Sequence, residues 1–153
     1  MNNYQLMCAL ESVASGYKYA VCAADRLPGT ITHFPQGFIV NTDKYGQVGK
    51  HWIAIWLEDA TTGQFFDSYG KKPIYYGKGF KHFLTKQCDF HDYNQKVLQS
   101  PDTVTCGFYC VYYIMLKTRG YSLSQILSDF SDNTYANDAF VRYFANDYLN
   151  DCL

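Results

Sequence analysis

Cys106 is the residue of this chain whose setting most favours nucleophilic chemistry. It stands where the polar stretch SPDTVT gives way to the apolar run CGFYCVYYIMLK. A buried strand is possible, but twelve residues that are apolar on nearly all sides favour a buried helix, as does the polar lead-in, in which Asp102, Thr103 and Thr105 could serve as caps. A helix N-terminus favours a thiolate, but its contribution of at most about 2 kcal/mol leaves most of the thiol protonated. A reactive cysteine at this position therefore needs a cationic partner.

His51 is the histidine best placed to be that partner. His33 lies in a proline-rich loop, and His82 and His91 lie in segments without a clear pattern. His51 instead opens the Ile- and Trp-rich run HWIAIWL, directly after a glycine-rich turn. A side chain at a strand end is held rigidly and still faces a cleft. We therefore take His51 as the candidate base, although a lone histidine at such a position is more often structural.

Asp67 is the candidate for the residue that orients the histidine. If HWIAIWL and QFFDSY form a hairpin, positions 51 and 67 are symmetric about position 59 in the intervening turn. Cross-strand neighbours have Cβ atoms about 5 Å apart, which is within reach of an Asp–His hydrogen bond. A carboxylate that merely caps the strand end explains the pattern equally well, and Glu58 or Asp59 in the turn would be the next candidates.

Gln99 comes seven residues before Cys106 and has a side chain that could serve the same reaction. A side-chain amide can donate to the oxyanion that forms beside the backbone N–H of a nucleophile. Considered alone, a glutamine in a loop is usually part of the polar surface.

The hydrophobic patterns around these residues predict one α+β domain over residues 1–153. Strand patterns occupy the middle of the chain and helical patterns lie on both sides of them, which is typical of this class. The predicted strands are 37–42, 51–57 and 64–69. The predicted helices are 5–18, 78–84, 106–117, 123–130 and 136–149, while 26–36 is predicted to be a loop and 90–98 is ambiguous.

Composition and cysteine usage limit the kinds of partner. A net charge of −1 argues against a strong non-specific grip on nucleic acid. The N-terminus lacks a signal-peptide pattern, and residues 106–116 are too short to span a bilayer, so no membrane partner is expected. We therefore expect six reduced thiols in an intracellular protein. Cys88 and His91 have ligand-like spacing, but no fourth ligand is evident and no metal site is predicted.

The residues described so far, in their order and spacing, resemble the adenovirus protease (adenain) family and, more distantly, the SUMO-specific proteases. The order His, acid, Gln, Cys differs from that of papain-like enzymes, in which the cysteine comes first. Asp67 stands where the adenovirus enzymes carry a Glu, whereas its Asp-Ser pair is similar to the SUMO proteases. The stretches that carry the resemblance are DRLPG, FIVNTD, GKHWIAIW, FFDSYG and LQSPDTVTCGFYCVYYI.

This resemblance implies a cysteine endopeptidase with the adenain-like fold, in which a central mixed β-sheet is flanked by helices and a buried helix carries the nucleophile. It implies the roles of nucleophile for Cys106, base for His51, orienting acid for Asp67 and oxyanion donor for Gln99. The implied substrates are polypeptides cut near glycine, such as viral or virus-like capsid and core precursors. The implied location is the host nucleus or cytoplasm, and the virion.

The resemblance also implies a means of activation, although the chemistry itself needs no cofactor. Cys88 lies eleven residues before Gln99, as does the family cysteine that forms a disulfide with an activating viral peptide. The alternative for Cys88 is an ordinary surface thiol. The adenovirus enzymes are also activated by DNA, which the slight negative charge of this chain makes doubtful. We expect a monomer.

Two other functions remain open at this point. A deubiquitinase-like or deSUMOylating isopeptidase would use the same four residues, so only substrate assays would separate it from an endopeptidase. A catalytically silent binding module on the same fold is the second, and it would be expected to carry a damaged catalytic set.

Overall fold

The computed structural model describes all residues, 1–153, and contains five helices and one five-stranded sheet. The helices are α1 (Asn3–Val13), α2 (Lys78–Gln87), α3 (Cys106–Thr118), α4 (Leu123–Ser128) and α5 (Thr134–Tyr148). The strands are β1 (Lys18–Ala23), β2 (Gln36–Asn41), β3 (Trp52–Leu57), β4 (Thr62–Phe66) and β5 (Phe90–Tyr93). None of the helices combines the length and the apolarity needed to cross a membrane.

The sheet is mixed, with the strand order β1-β2-β3-β4-β5. The two outer pairs, β1–β2 and β4–β5, are parallel, and the central strand β3 is antiparallel to both β2 and β4. All six residues of β3 are buried, because helices cover both faces of the central strand. The predicted α+β class, with a mixed sheet flanked by helices, is therefore confirmed.

Each face of the sheet builds its own hydrophobic core, because successive strand side chains point in opposite directions. Ala54 and Trp56 of β3 join the larger core, which is formed with α1, α3, α4 and α5. Ile53 and Ile55 point the other way and pack with α2. Helix α3 lies within the larger core and buries eleven of its thirteen residues, which confirms the predicted buried helix.

The structure differs most from the predicted elements in the first helix, in the strand that follows it and in the segment 90–98. The first helix ends at Val13 rather than at position 18, and Gly16 with φ +86° lies in the turn that follows. The residues after it form β1, which the sequence analysis missed. The ambiguous segment 90–98 contains only the short strand β5 at its start.

The thiols also differ from the expectation. Cys8 of α1 and Cys152, in a short 3-10 turn at the C-terminus, form a disulfide, so the prediction of six reduced cysteines is wrong for this pair. The two residues are 144 positions apart, and packing of the turn against α1 brings them together. The other four cysteines are free thiols.

Candidate active site

His51 and Asp67 lie next to each other at one end of the β3–β4 hairpin. The imidazole Nε2 and the carboxylate Oδ1 are 2.6 Å apart. The register pairs Ala54 with Phe66 and Ile55 with Phe65, so the hairpin is centred on position 60 rather than on the predicted 59. Positions 51 and 67, predicted to be near cross-strand neighbours, are therefore two residues away from direct pairing. His51 precedes β3 and Asp67 follows β4, and their side chains bridge the remaining offset.

The carboxylate of Asp67 is fully buried and satisfied by four donors. Besides His51, Oδ1 accepts the backbone N–H of Tyr69 at 3.0 Å. Oδ2 accepts the backbone N–H of Lys71 at 3.0 Å and the hydroxyl of Tyr76 at 2.8 Å. These bonds turn the chain immediately after Phe66, which is why β4 ends there and not at the predicted position 69. They also fix the orientation of the carboxylate toward the imidazole.

The backbone around Asp67 is held by a neighbouring segment. The Asn94 side chain bonds both backbone groups of Asp67: its Oδ1 accepts the N–H at 2.8 Å, and its Nδ2 donates to the carbonyl at 2.6 Å. Gly70 has φ +67°, and a Cβ there would lie 2.9 Å from the carbonyl oxygens of Gln95 and Lys96. Only glycine therefore allows the two segments to pack this closely.

The buried imidazole of His51 is placed to be positively charged. It stacks on Tyr69, with the ring centroids 4.7 Å apart. Burial alone would lower its pKa, but hydrogen bonds to Asp67 and Cys106, together with their charges, raise the pKa to about 9. Because Asp67 occupies Nε2, the nitrogen left to face the thiol is Nδ1.

Cys106 is the first residue of α3, as predicted, and its thiol is placed to be a thiolate. Burial would raise the pKa of this thiol. The hydrogen bond and charge of His51, with the backbone N–H groups of Trp52 and Gly107, outweigh burial and hold the pKa of Cys106 below its ordinary value. One helical turn later, burial raises the pKa of Cys110 well above its ordinary value. The contrast is caused by His51 and the helix N-terminus.

Gln99 is buried and not part of the polar surface, so that alternative is wrong. Its Oε1 accepts the hydroxyl of Ser68 at 2.6 Å. Its Nε2 lies 2.8 Å from the carbonyl oxygen and 3.3 Å from the Oγ1 of Thr103. The amide is thus held at the start of the loop that leads to Cys106.

Thr105 does not act as the predicted helix cap. It precedes α3, but its side chain makes no capping bond. Its hydroxyl instead donates to Asp138 Oδ1 of α5 at 2.8 Å. Because the Thr105 side chain accepts no N–H of the first turn, the N-terminus of α3 is left open toward the thiol.

The sequence analysis missed the residues that support the site. They come from segments whose proximity only the fold creates: Ser68, Tyr69, Tyr76, Asn94 and Asp138. Asp138 gave the only usable signal, as a charged residue at helical spacing from the apolar Val141 and Ala145 in the last helical pattern.

Cys88 lies at the end of α2, on the other side of the sheet. Only 4% of the residue is exposed, and its Sγ lies 3.3 Å from the carbonyl oxygen of Leu84. Burial raises the pKa of this thiol. The surface-thiol alternative is therefore wrong, and a disulfide to an activating peptide would require the end of α2 to open. Activation through Cys88 remains a prediction.

A cleft of about 500 Å³ opens near the candidate site, although none of its four residues, His51, Asp67, Gln99 and Cys106, lines it. Trp52, which follows His51, and Met1 form its wall on this side. Trp52 Nε1 donates to the Met1 carbonyl at 3.0 Å, and the Met1 side chain lies against Gly107, the residue after the nucleophile. Tyr45 and the fully exposed Val48, from the loop before His51, line the cleft as well.

Comparison with curated proteins finds a relative whose name describes a class of enzyme. The protein "Putative thiol protease R355" of Acanthamoeba polyphaga mimivirus is 30% identical over 117 residues. The match covers 71% of this chain and 38% of the relative, so the chain spans well under half of the relative's length. No family model matches the chain.

Two solved structures are similar to this chain. The central domain of the uncharacterized Lpg1148 protein from Legionella pneumophila aligns over 100% of this chain and 98% of that domain, with a TM-score of 0.56 and 16% identity. The ASFV pS273R protease aligns over 74% of this chain and 43% of its own, with a TM-score of 0.49 and 24% identity. The first match shows that the fold occurs as a separate domain in another protein.

Proposed function

We propose that this chain is a cysteine endopeptidase of the adenovirus-protease type. Cys106 is the nucleophile, His51 the base, Asp67 the orienting acid and Gln99 an oxyanion donor. The observation that carries the proposal is the buried hydrogen bond between Asp67 and His51, with the Cys106 thiol close enough to the imidazole for the pKa of His51 to be raised and that of Cys106 to be lowered. The name of the mimivirus relative supports the same class of enzyme.

The reaction begins from an ion pair. His51 carries the thiol proton before substrate arrives, because its pKa of about 9 is raised while that of Cys106 is lowered. The Sγ of Cys106 attacks the scissile carbonyl carbon, and the carbonyl electron pair moves onto the oxygen. Collapse of this tetrahedral intermediate breaks the C–N bond, and the amine leaves with the proton of His51. Water then attacks the thioester, gives its proton to His51, and releases the acid and the thiolate.

The charge that develops on the carbonyl oxygen requires donors. The backbone N–H of Cys106 lies in the first turn of α3, and no backbone carbonyl accepts it. Gln99 supplies the second donor in our proposal. One proton of its Nε2 bonds the Thr103 carbonyl at 2.8 Å, and the other has only the longer 3.3 Å contact to Thr103 Oγ1, which an oxyanion can replace.

The proposed substrate is an extended polypeptide that enters the cleft beside Trp52. A thiol protease needs room for residues on either side of the cut, and Met1, which lines this cleft, lies against Gly107, the residue after the nucleophile. Val48 and Val104 leave apolar side chains exposed in the loops just before His51 and Cys106. Cleavage near glycine, and capsid or core precursors as natural substrates, are proposals that rest on the resemblance to the adenovirus proteases.

The isopeptidase alternative shares this chemistry and differs only in the substrate. The binding-module alternative is disfavoured, because a module without catalysis gains nothing from a buried ion pair whose desolvation costs several kcal/mol. Both alternatives can be tested together with the main proposal.

The test is to incubate the protein with unfolded casein, with capsid precursor polypeptides and with conjugates that end in Gly-Gly, and to read every new terminus by mass spectrometry. We expect internal cuts in the polypeptides and none with the Cys106→Ala variant. Release of only the Gly-Gly conjugates would favour the isopeptidase. An absence of cuts in all three substrates would contradict the proposed enzyme.

A further inference from the structure

Asp138 of α5 has a buried carboxylate for which the reaction described above has no use. Only 4% of the residue is exposed, and it accepts four hydrogen bonds. Oδ1 accepts the hydroxyls of Thr105 at 2.8 Å and Tyr109 at 2.9 Å. Oδ2 accepts the Thr103 hydroxyl at 3.0 Å and the backbone N–H of Ser100 at 3.2 Å. No lysine or arginine pairs with it, so these donors alone stabilise its charge.

Three of the four donors belong to one short segment of the chain. Ser100, Thr103 and Thr105 all lie between Gln99 and Cys106, the two residues that would supply the oxyanion donors. The carboxylate of Asp138 therefore fixes, by hydrogen bonds, most of the loop that joins those two residues. A helix position facing a core would ordinarily be apolar, because burying a carboxylate costs several kcal/mol. The cost of burying the Asp138 carboxylate indicates that the function requires a fixed position of the loop between Gln99 and Cys106.

The loop is held on both sides of Gln99. On one side, Asn137, the neighbour of Asp138 in α5, donates from Nδ2 to the Leu98 carbonyl at 3.1 Å. On the other side, Asp138 holds Thr103, whose carbonyl and hydroxyl contact the Gln99 amide. Two consecutive residues of α5 thus fix the backbone before Gln99 and the acceptor that orients its side chain.

We infer that Asp138 is a positioning residue for oxyanion binding: through Thr103 and Thr105 it holds the Gln99 amide and the Cys106 backbone N–H in one fixed arrangement. The inference rests on the proposed function, because it assigns Asp138 to the reaction of that site. It also makes α5, which contributes no group to the reaction, a requirement for fast acyl transfer. It leaves the ion pair of His51 and Cys106 independent of α5.

Asp138→Asn is the sharpest variant, because it keeps the shape and removes one acceptor. The Ser100 N–H can only donate, so the amide oxygen should turn toward it. The NH₂ group then faces Thr105 and Tyr109, whose hydroxyls can rotate and accept. The loop keeps its partners but loses the charge-assisted bonds that fixed it, which are roughly twice as strong as neutral ones.

The experiment compares two reactions of Cys106. The Cys106 thiolate attacks iodoacetamide at its saturated carbon and displaces iodide, so this reaction forms no oxyanion. p-Nitrophenyl acetate is attacked at its carbonyl carbon, passes through an oxyanion, acylates the sulfur and releases p-nitrophenolate. We expect Asp138→Asn to slow acylation by p-nitrophenyl acetate about 10–100-fold, since loss of a whole oxyanion donor costs about 10²–10³-fold. Alkylation by iodoacetamide should stay within about twofold. For peptide cleavage, kcat should fall while KM stays unchanged.

Asp129→Asn is the matched control. Asp129 accepts the hydroxyl of Tyr112 at 2.8 Å, as Asp138 accepts that of Tyr109 on the same helix, but it has no bond to the loop before Cys106. Its acylation rate should equal that of the wild type. If Asp138→Asn does not fold, Thr105→Val removes one loop donor with nearly the same shape and should give a smaller change in the same direction.

Three outcomes would overturn the inference. Equal acylation rates for wild type and Asp138→Asn would remove Asp138 from oxyanion positioning and leave the proposed function intact. A parallel fall in alkylation and acylation would mean that Asp138 supports the fold or the ion pair instead. Wild-type acylation no faster than that of free cysteine would show that the site gives no oxyanion assistance, and would contradict the proposed function as well.

Discussion

Replacing Asp67 with asparagine should distinguish two effects of this residue on His51: orientation of the imidazole ring and stabilisation of its positive charge. The change keeps the shape of the side chain but replaces one oxygen with a group that donates. Two of its four partners, the backbone N–H groups of Tyr69 and Lys71, can only donate. The Tyr76 hydroxyl can rotate to accept, so the new NH₂ should face Tyr76 and the remaining oxygen should stay with His51. The Lys71 N–H then loses its acceptor.

The magnitude follows from these contacts. An unpaired donor costs about 1–3 kcal/mol, and Lys71 is exposed enough for water to replace part of the bond, so the stability loss should lie at the low end of that range. The effect on the ion pair is larger. An opposite charge in contact shifts a pKa by about 1–3 units, and each unit corresponds to about 1.4 kcal/mol. The pKa of His51 should therefore fall from about 9 by that amount.

The assay is the pH dependence of peptide cleavage and of Cys106 alkylation. The reactive ion pair exists above the lowered pKa of Cys106 and below the raised pKa of His51. The wild type should therefore keep activity up to an alkaline limb near pH 9. In Asp67→Asn the alkaline limb should move to lower pH. The thiolate fraction of Cys106 at neutral pH should also fall, because the lower pKa of His51 leaves less imidazolium to stabilise the thiolate.

Two results would refute this reasoning. An unchanged alkaline limb in Asp67→Asn would mean that the carboxylate does not stabilise the imidazolium. Loss of activity with an unchanged profile but a strongly lowered melting temperature would mean that Asp67 is needed for the turn after β4 and not for the chemistry. Asp59→Asn is the control, because this exposed carboxylate accepts only from its own turn.

Three further predictions follow from single contacts. Gln99→Ala should lower kcat about 10²–10³-fold in peptide cleavage, the usual loss for one oxyanion donor, and a loss below about threefold would contradict its role. Cys8→Ser should lower the free energy of unfolding, measured in urea, by up to about 5 kcal/mol without changing kcat, because the disulfide closes a loop of 144 residues away from the site; Cys22→Ser should change neither. Gly70→Ala should cost about 1–3 kcal/mol and lower kcat, because its positive φ and the carbonyls 2.9 Å away leave no room for a Cβ, whereas Gly79→Ala in α2 should stabilise by up to about 1 kcal/mol.

Local patterns were enough to predict the elements that hold the site. The apolar run from Cys106 predicted α3, and the Ile- and Trp-rich run HWIAIWL, followed by a turn and QFFDSY, predicted the β3–β4 hairpin that carries His51 and Asp67. Such signals lie within a few residues of one another. The parity of the hairpin was right even though its register was wrong by two, because the turn length is less strongly encoded than the buried face.

Contacts between distant segments could not be predicted in this way. The Cys8–Cys152 disulfide and the bonds from Asp138 to the loop before Cys106 join residues that only the packing of α1 and α5 brings together. The hydrogen bonds of the Asn94 side chain to the Asp67 backbone likewise form only where two loops pack against each other. A single sequence contains no local trace of these pairings, and two of them, those of Asp138 and Asn94, hold the segments that carry the candidate catalytic residues.

The most direct test of the central claim is to follow peptide cleavage while Cys106 is progressively alkylated with iodoacetamide at pH 6. Peptide mapping gives the modified fraction of each free thiol at every time point. We predict that Cys106 reacts first, because it alone is held as a thiolate, and that activity falls in proportion to its modification and reaches zero. Activity that survives complete alkylation of Cys106, or faster modification of Cys22, Cys88 or Cys110, would contradict the account.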